Sequence, residues 1–282
     1  MVRPLSQLRN DVKNRIIAVI LCAGEGKRLR KTIKNIPKPL IQINSLGNKS
    51  ILHHNIDLLL KMGVYKIAIV KGHLGEKIDE FLEHLVIENL NLQEKLILID
   101  SLEQYKLGPL YSFLSITRDK NIFQDKYVYL IIPGDTIFQY DLLNEIFSVF
   151  HEKIKGNLEY PLIFYRKIEV ISLKQKTQSE RISLIDLEET GSKKFLKTIK
   201  QEAFQNLSNS EVIDQIIPIF LFSYHFIHDI IDIEKQLSVT TIKGILNHLI
   251  KRGSKIGAIE IDKDYDFYDI DTKLDLFEIQ KF

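Results

Sequence analysis

The sequence predicts an α/β fold: a doubly wound, mostly parallel, Rossmann-like sheet with a strand-rich lobe inserted in the C-terminal half. Two observations lead to this prediction. Strand-like and helix-like segments alternate four times over the first 150 residues, which is typical of a parallel sheet covered by helices on both faces. Beyond about residue 160, strand-like segments follow one another with little helix between them, which indicates an insertion on the same core.

The first half begins with a continuous apolar run at Ile16–Cys22, which is typical of a strand buried on both faces. The first helix of the alternating pattern is expected to start at Ser50, a good N-cap, and to end at Gly63. Similar patterns predict further strands at 66–70, 96–99 and 127–132, and further helices at 76–85, 108–116 and 141–150.

The second half contains strand-like segments at 161–171, 182–188, 194–199 and 216–223. A helix near 241–251, a strand near 256–261 and a last helix near 272–282 follow. Thr272 and Asp275 are expected mainly to cap that last helix. The chain has no internal repeat or flexible linker, so we expect one domain at residues 16–282 after an N-terminal extension at residues 1–15.

The formal net charge is +2, because 39 Lys and Arg side chains nearly balance 37 Asp and Glu side chains. This balance argues against binding to nucleic acid or to an anionic membrane surface. The single cysteine, Cys22, rules out an intramolecular disulfide and a cysteine-rich zinc site. The apolar runs are too short to cross a bilayer and the N-terminal residues carry no secretory signal, so we expect a cytoplasmic protein. Homo-oligomerisation stays open.

A loop rich in glycines and cations follows the first strand. It reads LCAGEGKRLR from Leu21 and is followed by IPKPL from Ile36. Its glycines let the backbone approach a ligand closely, and backbone N–H groups in such loops bind anionic oxygens. Six cations lie between residues 27 and 38, opposed nearby by Glu25. At the carboxyl end of a strand in an open α/β sheet, this loop predicts a polyphosphate ligand.

The pattern Gly-x-Gly-x-Arg-Leu followed by Pro-Lys-Pro-Leu resembles the signature of the sugar-1-phosphate nucleotidyltransferases, the NDP-sugar pyrophosphorylases. Lys31 stands where that family often has Pro. The resemblance implies that Arg28 neutralises the β- and γ-phosphates and that Lys38 contacts the α-phosphate or the sugar phosphate. It also implies a set of nucleotide-binding residues in the loop, which are Leu21, Ala23, Gly24, Gly26 and Lys27.

A second segment, from Glu103 to Leu110, resembles the family segment that contacts the nucleobase. Gln104 offers both a donor and an acceptor, which suits a pyrimidine edge. Gly108 would let the backbone approach the base. Because Pro109 and Leu110 replace the usual Thr-Ala, the identity of the base stays open.

Two acidic segments resemble the family's metal-binding positions. Asp135 directly follows a buried strand, and Asp269 lies in FYDIDTKLDL near the C-terminus. The resemblance implies that both carboxylates bind Mg²⁺, with Asp271 as the alternative to Asp269. Basic and acidic side chains are therefore segregated along the chain, and near-neutrality does not exclude a small polyanion held with Mg²⁺.

The strand-rich lobe resembles the family only in outline. The Asn and Gly that contact the sugar in the family strand are absent from 217–223. Lys200 is the expected contact to the substrate phosphate, with Lys197 as the alternative. We expect a nucleotide-binding lobe at 16–155, a sugar or acceptor lobe at 156–255 and a returning metal-site segment at 256–282.

The resemblance implies a Mg²⁺-dependent transfer of a nucleoside monophosphate from a nucleoside triphosphate to a sugar 1-phosphate, which yields an NDP-sugar and pyrophosphate. Two alternatives stay open. One is a cytidylyltransferase for a phosphorylated alcohol, such as phosphocholine or inositol phosphate. The other is a non-catalytic, nucleotide-binding regulatory subunit on the same fold.

Overall fold

A computed structural model describes residues 15–29, 33–153, 158–176, 181–235, 237–261 and 265–280. Apart from Arg15, the N-terminal extension expected at residues 1–15 lies outside the described residues. Within the described ranges, no helix combines the length and the apolar character needed to cross a bilayer.

The strands are β1 (Ile16–Leu21), β2 (Gln42–Ile43), β3 (Lys49–Ser50), β4 (Lys66–Lys71), β5 (Leu96–Asp100), β6 (Val128–Pro133), β7 (Thr136–Phe138), β8 (Leu162–Glu169), β9 (Arg181–Thr190), β10 (Lys193–Ala203), β11 (Val212–Ser223), β12 (Gly257–Glu260) and β13 (Phe267–Asp269). The α-helices are α1 (Ile51–Met62), α2 (Gly75–Glu88), α3 (Pro109–Leu114), α4 (Tyr140–Lys153), α5 (Val170–Lys176), α6 (Tyr224–Glu234), α7 (Ile242–Lys251) and α8 (Lys273–Ile279).

Nine strands form one sheet in the order β5-β4-β1-β6-β11-β8-β12-β10-β9. The predicted α/β class is confirmed, and β5, β4, β1 and β6 pair in parallel. The other half is mixed. Strand β12 is parallel to β8, whereas β11 is antiparallel to β6 and β8, and β10 is antiparallel to β9 and β12. A tight turn at Gly191 joins β9 to β10, and a turn this short permits only antiparallel pairing.

Alternate residues of β1 enter two separate hydrophobic cores. Ile16, Ala18 and Ile20 pack in the core that contains buried residues of α1, α2 and α4. Ile17 and Val19 pack in the core that contains buried residues of α3, α6 and α7. Helices therefore cover both faces of the sheet, which explains why β1 is apolar at successive positions.

The structure contains two helices that the sequence patterns did not predict, α5 and α6. Helix α6 follows β11 directly, and the Ser223 hydroxyl caps it by accepting from the Phe226 N–H at 3.2 Å. Its Phe and Ile residues are β-prone by themselves, so the strand-like composition concealed the helix. The predicted cap of α8 is confirmed, since Thr272 and Asp275 form a reciprocal capping box.

Candidate active site

The loop after β1 lies at the carboxyl ends of the parallel strands. The Cys22 N–H donates to the Val70 carbonyl at 2.8 Å, and the Gly134 N–H donates to the Leu21 carbonyl at 3.0 Å. The loop is thus tied to the ends of both strands that flank β1. This is the edge at which open α/β sheets bind ligands.

Gly26 lets this loop close over the Lys38 side chain. Its φ is +57°, and a β-carbon at this position would lie 3.1 Å from Cγ of Lys38. A larger residue would be strained in the left-handed region and would press on the lysine. The glycine therefore fixes the distance between the loop and the Pro-Lys-Pro segment.

Lys38 connects two acidic residues that are far apart in the sequence. Its ammonium group lies 3.2 Å from Oδ2 of Asp135 and 2.7 Å from Oδ1 of Asp271. Burial lowers the pKa of Lys38, but the Asp135 and Asp271 carboxylates outweigh this effect and hold the pKa above its ordinary value. Arg28 reaches Oδ2 of Asp271 at 3.4 Å. Asp271 thus pairs with both predicted phosphate-binding cations.

The β7–β13 pair brings Asp269 to the same place, because Asp269 pairs in register with Thr136. The Thr136 hydroxyl donates to the Asp269 carboxylate. Asp269 is exposed by its accessible surface, yet the density of surrounding protein desolvates its carboxylate and raises its pKa to about 6. The Asp135 and Asp271 carboxylates contribute to this rise, and the Thr136 hydrogen bond and Lys243 oppose it.

Two adjoining cavities meet beside these residues. The first, here called the loop cavity, has a volume of about 370 Å³ and is lined by residues 21–27, Lys38, Tyr105, Gly108 and Pro109, among others. The second, here called the lobe cavity, has a volume of about 490 Å³. Its lining is drawn from many elements: Ile131, Thr136, Ser183, Ile199, Lys200, Gln201, Pro218, Phe220, Thr241, Ile242, Lys243, Asp269 and Asp271. Leu21, Pro109, Pro133 and Asp135 line both cavities.

The predicted loop residues Leu21, Ala23, Gly24, Gly26 and Lys27 all line the loop cavity, together with Lys38 and Gly108. The Lys27 side chain is largely exposed and pairs with Glu25 at 3.3 Å. Gly108 has a φ of +124°, and a β-carbon there would lie 2.6 Å from the Thr240 carbonyl oxygen. A glycine is therefore required where this wall meets the segment before α7.

Gln104 does not line the loop cavity. Its side-chain carbonyl accepts from the Ser115 hydroxyl at 3.0 Å, and the neighbouring Tyr105 and Lys106 line the wall instead. Lys200 lies at the lobe cavity, but its side chain is half exposed and pairs with Asp186. Lys197, the alternative, is exposed and does not line this cavity.

Two oxygen-bearing side chains of the predicted metal site, Asp135 and Asp269, share the lobe cavity with Asp271. Carboxylate oxygens suit Mg²⁺, which commonly takes one or two protein carboxylates and keeps its other positions for water and phosphate. The pKa of Asp269 is raised mainly by desolvation and further by the Asp135 and Asp271 carboxylates, and a bound cation would offset both effects. Among the described residues, no group of three or more His, Cys, Asp or Glu is arranged to hold a metal ion. Asp135 and Asp269, which line one cavity, match the one or two protein carboxylates that Mg²⁺ commonly takes.

Sequence patterns missed Ser183 and Lys243, both of which line the lobe cavity. Lys243 Nζ donates to the Ser183 hydroxyl at 2.7 Å. Burial lowers the pKa of Lys243, although Asp269 and Asp271 oppose this shift. Nothing in the local sequence marks this lysine, because it is one of two on a helix whose pattern indicates only an amphipathic element.

Comparison with known proteins identifies the class. Residues 18–175, more than half of the chain, match the MobA-like NTP transferase domain, and the chain belongs to that family. The bifunctional protein GlmU of Methanocaldococcus jannaschii is 30% identical over 186 residues, which cover 64% of this chain and 40% of that protein. The chain spans about two fifths of the length of the curated relatives that match it first.

Solved structures show a similar fold over nearly the whole chain. UDP-glucose pyrophosphorylase complexed with UDP-glucose has a TM-score of 0.68 and 15% identity, covering 95% of this chain and 97% of the other. CTP:phosphocholine cytidylyltransferase from Streptococcus pneumoniae has a TM-score of 0.62 and 18% identity, covering 95% and 98%. At these identities the likeness concerns the fold.

Proposed function

We propose that this protein transfers a nucleoside monophosphate from a nucleoside triphosphate to a sugar 1-phosphate and releases pyrophosphate. The observation that carries the proposal is the meeting of two cavities at Asp135, one lined by the glycine-rich loop and one by the strand-rich lobe. A group-transfer reaction needs two substrates held in contact, and this arrangement offers one cavity to each. Membership of the MobA-like NTP transferase family supports the same conclusion.

In this reaction an oxygen of the acceptor phosphate attacks the α-phosphorus of the triphosphate. The bond from the α-phosphorus to the bridging oxygen of the β-phosphate breaks, and pyrophosphate leaves. The attacking phosphate is already an anion, so no strong general base is needed, and the protein acts by positioning and charge neutralisation. In this proposal Lys38 and Arg28 would offset phosphate charge, and a ligand would replace their present contacts with Asp135 and Asp271.

Asp135 and Asp269 would hold Mg²⁺, which supplies charge neutralisation between the two substrate phosphates when bound. Asp271 is the less favoured ligand, because two cations already contact it. In this proposal residues 16–155 form a Rossmann-like nucleotide lobe, residues 156–255 the acceptor lobe and residues 256–282 the returning metal segment. The single cysteine, buried and free, supports a cytoplasmic location.

A second candidate acceptor is a phosphorylated alcohol, with CTP as the donor. Apolar side chains make up much of the lobe-cavity wall, including Ile131, Ile199, Pro218 and Phe220. A polyhydroxylated sugar or inositol requires polar partners, whereas this wall suits an acceptor with fewer hydroxyl groups, such as phosphocholine. The similarity in fold to a CTP:phosphocholine cytidylyltransferase supports the same alternative.

A pyrophosphate-release panel tests the proposal. It crosses the common nucleoside triphosphates with several sugar 1-phosphates, phosphocholine and inositol phosphate, with and without Mg²⁺. We expect release with at least one sugar 1-phosphate, and release with phosphocholine or inositol phosphate alone would favour the second candidate. Nucleotide binding without release from any pair would contradict both and would favour a regulatory subunit.

A further inference from the structure

If the lobe cavity binds the acceptor, the phosphate group of the acceptor needs a cation there. Two lysines, Lys200 and Lys243, line this cavity. Lys200, the residue that the sequence suggests, is half exposed and already pairs with Asp186. Lys243 is more enclosed and lines both the lobe cavity and a smaller adjoining cavity of about 190 Å³. The two lysines thus differ in whether a carboxylate already forms an ion pair with the ammonium group.

Lys243 is held by a neutral partner. An ammonium group has three donors, and Lys243 directs one of them to the Ser183 hydroxyl at 2.7 Å. In the described part of the chain, no carboxylate forms an ion pair with Lys243, and the Asp269 and Asp271 charges act on it from a longer distance. Because an enclosed ammonium gains most from a charged acceptor, this lysine suits an anionic ligand.

The start of helix α7 adds a second, independent feature at the same wall. Thr241, Ile242 and Lys243 all line the lobe cavity. The Thr241 hydroxyl caps the helix by accepting from the Gly244 N–H at 3.0 Å. The backbone N–H groups of Ile242 and Lys243, in the first turn, have no partner inside this ten-residue helix. The N-terminus of a helix favours anions, since its N–H groups and dipole present positive charge.

We infer that Lys243 and the first turn of α7 bind the phosphate group of the acceptor, with Ser183 positioning the ammonium group. This inference rests on the proposed function and specifies the residues that recognise its second substrate. The acceptor is thereby a phosphate monoester, whether a sugar 1-phosphate or a phosphorylated alcohol. Lys200, which is half exposed and pairs with Asp186, is the competing lysine in the same cavity.

Steady-state kinetics of Lys243→Met test the inference, with the KM for each substrate measured separately. Loss of a charge-assisted hydrogen bond predicts a rise of about 10- to 100-fold in the KM for the acceptor. The KM for the nucleoside triphosphate should stay within about twofold, because Lys243 does not line the loop cavity. Lys243→Arg should recover part of the affinity, since it restores the charge.

A matched variant controls for general damage. Lys251→Met alters an exposed lysine at the other end of the same helix and should keep the KM for the acceptor within about threefold of the wild type. Lys200→Met, in the same cavity, tests the competing lysine and should raise this KM less than Lys243→Met does. If Lys243→Met does not fold, Ser183→Ala provides the test. This variant keeps the Lys243 charge but removes the hydroxyl that holds the ammonium group. It should raise the KM for the acceptor by a smaller factor than Lys243→Met.

The possible results separate the inference from the function on which it rests. An unchanged KM for the acceptor, or an equal rise in both KM values, in an active Lys243→Met variant would overturn the inference and leave the proposed function intact. A rise in the KM for the acceptor that is larger in Lys200→Met than in Lys243→Met would also overturn the inference and leave the proposed function intact. If the wild type releases no pyrophosphate with any substrate pair, the proposed function fails and the inference fails with it.

Discussion

The loop cavity and the lobe cavity meet at Asp135 but differ in what lines them. The loop cavity is lined by one continuous stretch, residues 21–27, which contains two glycines, and by cations at Lys27, Lys38 and Lys106. The lobe cavity combines apolar side chains with three carboxylates, Asp135, Asp269 and Asp271, taken from distant parts of the chain. Backbone and cations suit phosphate oxygens directly, whereas clustered carboxylates accept an anionic substrate only with added positive charge.

This difference indicates a division of labour. The loop cavity has the backbone and the cations that suit a phosphate group. In the proposed function the lobe cavity receives the acceptor, and Lys200 and Lys243 are the lysines in its lining. Of the four residues that line both cavities, Asp135 is the one with a charged side chain, so a substitution there changes the electrostatics of both.

Asp135→Asn should therefore have the largest effect. It removes the charge that Lys38 contacts at 3.2 Å and one of two expected metal ligands. We expect the rate of pyrophosphate release to fall at least ~100-fold, on the scale of losing one preorganised electrostatic contact in the transition state. Asp125→Asn, at an exposed position outside both cavities, is the matched control. A rate close to that of the wild type would remove Asp135 from the site.

Arg28→Ala tests the expected phosphate-binding role of the loop after β1. Its guanidinium group lies at the edge of the site, where it contacts Asp271 at 3.4 Å. We expect a loss of about 100-fold, mainly in kcat, because the β- and γ-phosphates gain charge as pyrophosphate leaves. The control is Arg252→Ala, which removes an exposed arginine from the end of α7. An effect limited to KM would indicate ground-state binding alone.

Gly108→Ala tests the packing of the loop-cavity wall against the segment before α7. The new β-carbon would lie 2.6 Å from the Thr240 carbonyl oxygen, at a φ of +124°. We expect the free energy of unfolding to fall by about 1–3 kcal/mol, measured by denaturant titration. In contrast, Gly24→Ala places its β-carbon in open space and should change this free energy by less than about 0.5 kcal/mol. Equal effects of the two variants would contradict the packing described for Gly108.

The pH dependence of the metal requirement gives the smallest expected effect. With a pKa of about 6, Asp269 is protonated below that pH and ionised above it, and protons compete with Mg²⁺ for its oxygens. Between about pH 7.5 and about pH 5.5, the ionised fraction falls about fourfold, so the Mg²⁺ concentration at half-maximal activity should rise by about that factor. Pyrophosphate release measured against Mg²⁺ concentration at both pH values checks this.

Thr136→Val is the companion variant for that measurement. The Thr136 hydroxyl donates to Asp269 and lowers its pKa, so removing the donor should move the change in Mg²⁺ requirement to a higher pH. A Mg²⁺ requirement that is independent of pH in the wild type would show that Asp269 is not a metal ligand. Asp271 would then be the expected ligand.

Most of the parallel half of the sheet was predictable, because its strands are apolar runs and its helices carry caps such as Ser50. Helix α6 was missed because its Phe and Ile content resembles a strand, and its cap at Ser223 continues directly from β11. In the loop cavity, Gly24, Gly26 and Lys38 were found because they occur in one local pattern. Lys243 and Ser183 were not, since they come from α7 and β9 and meet only in the folded chain.

The sequence by itself determined the α/β class, the position of the anion-binding loop and the separation of basic from acidic side chains along the chain. These follow from local physics: the periodicity of apolar residues, the backbone freedom of glycine and the fixed charges of Lys, Arg and Asp. The tertiary structure decided which charges meet, as in the 2.7 Å contact between Lys38 and Asp271, and which lysine lies enclosed in the lobe cavity. Such pairs are set by strand register and helix packing over more than two hundred residues of sequence separation, and no local pattern contains that information.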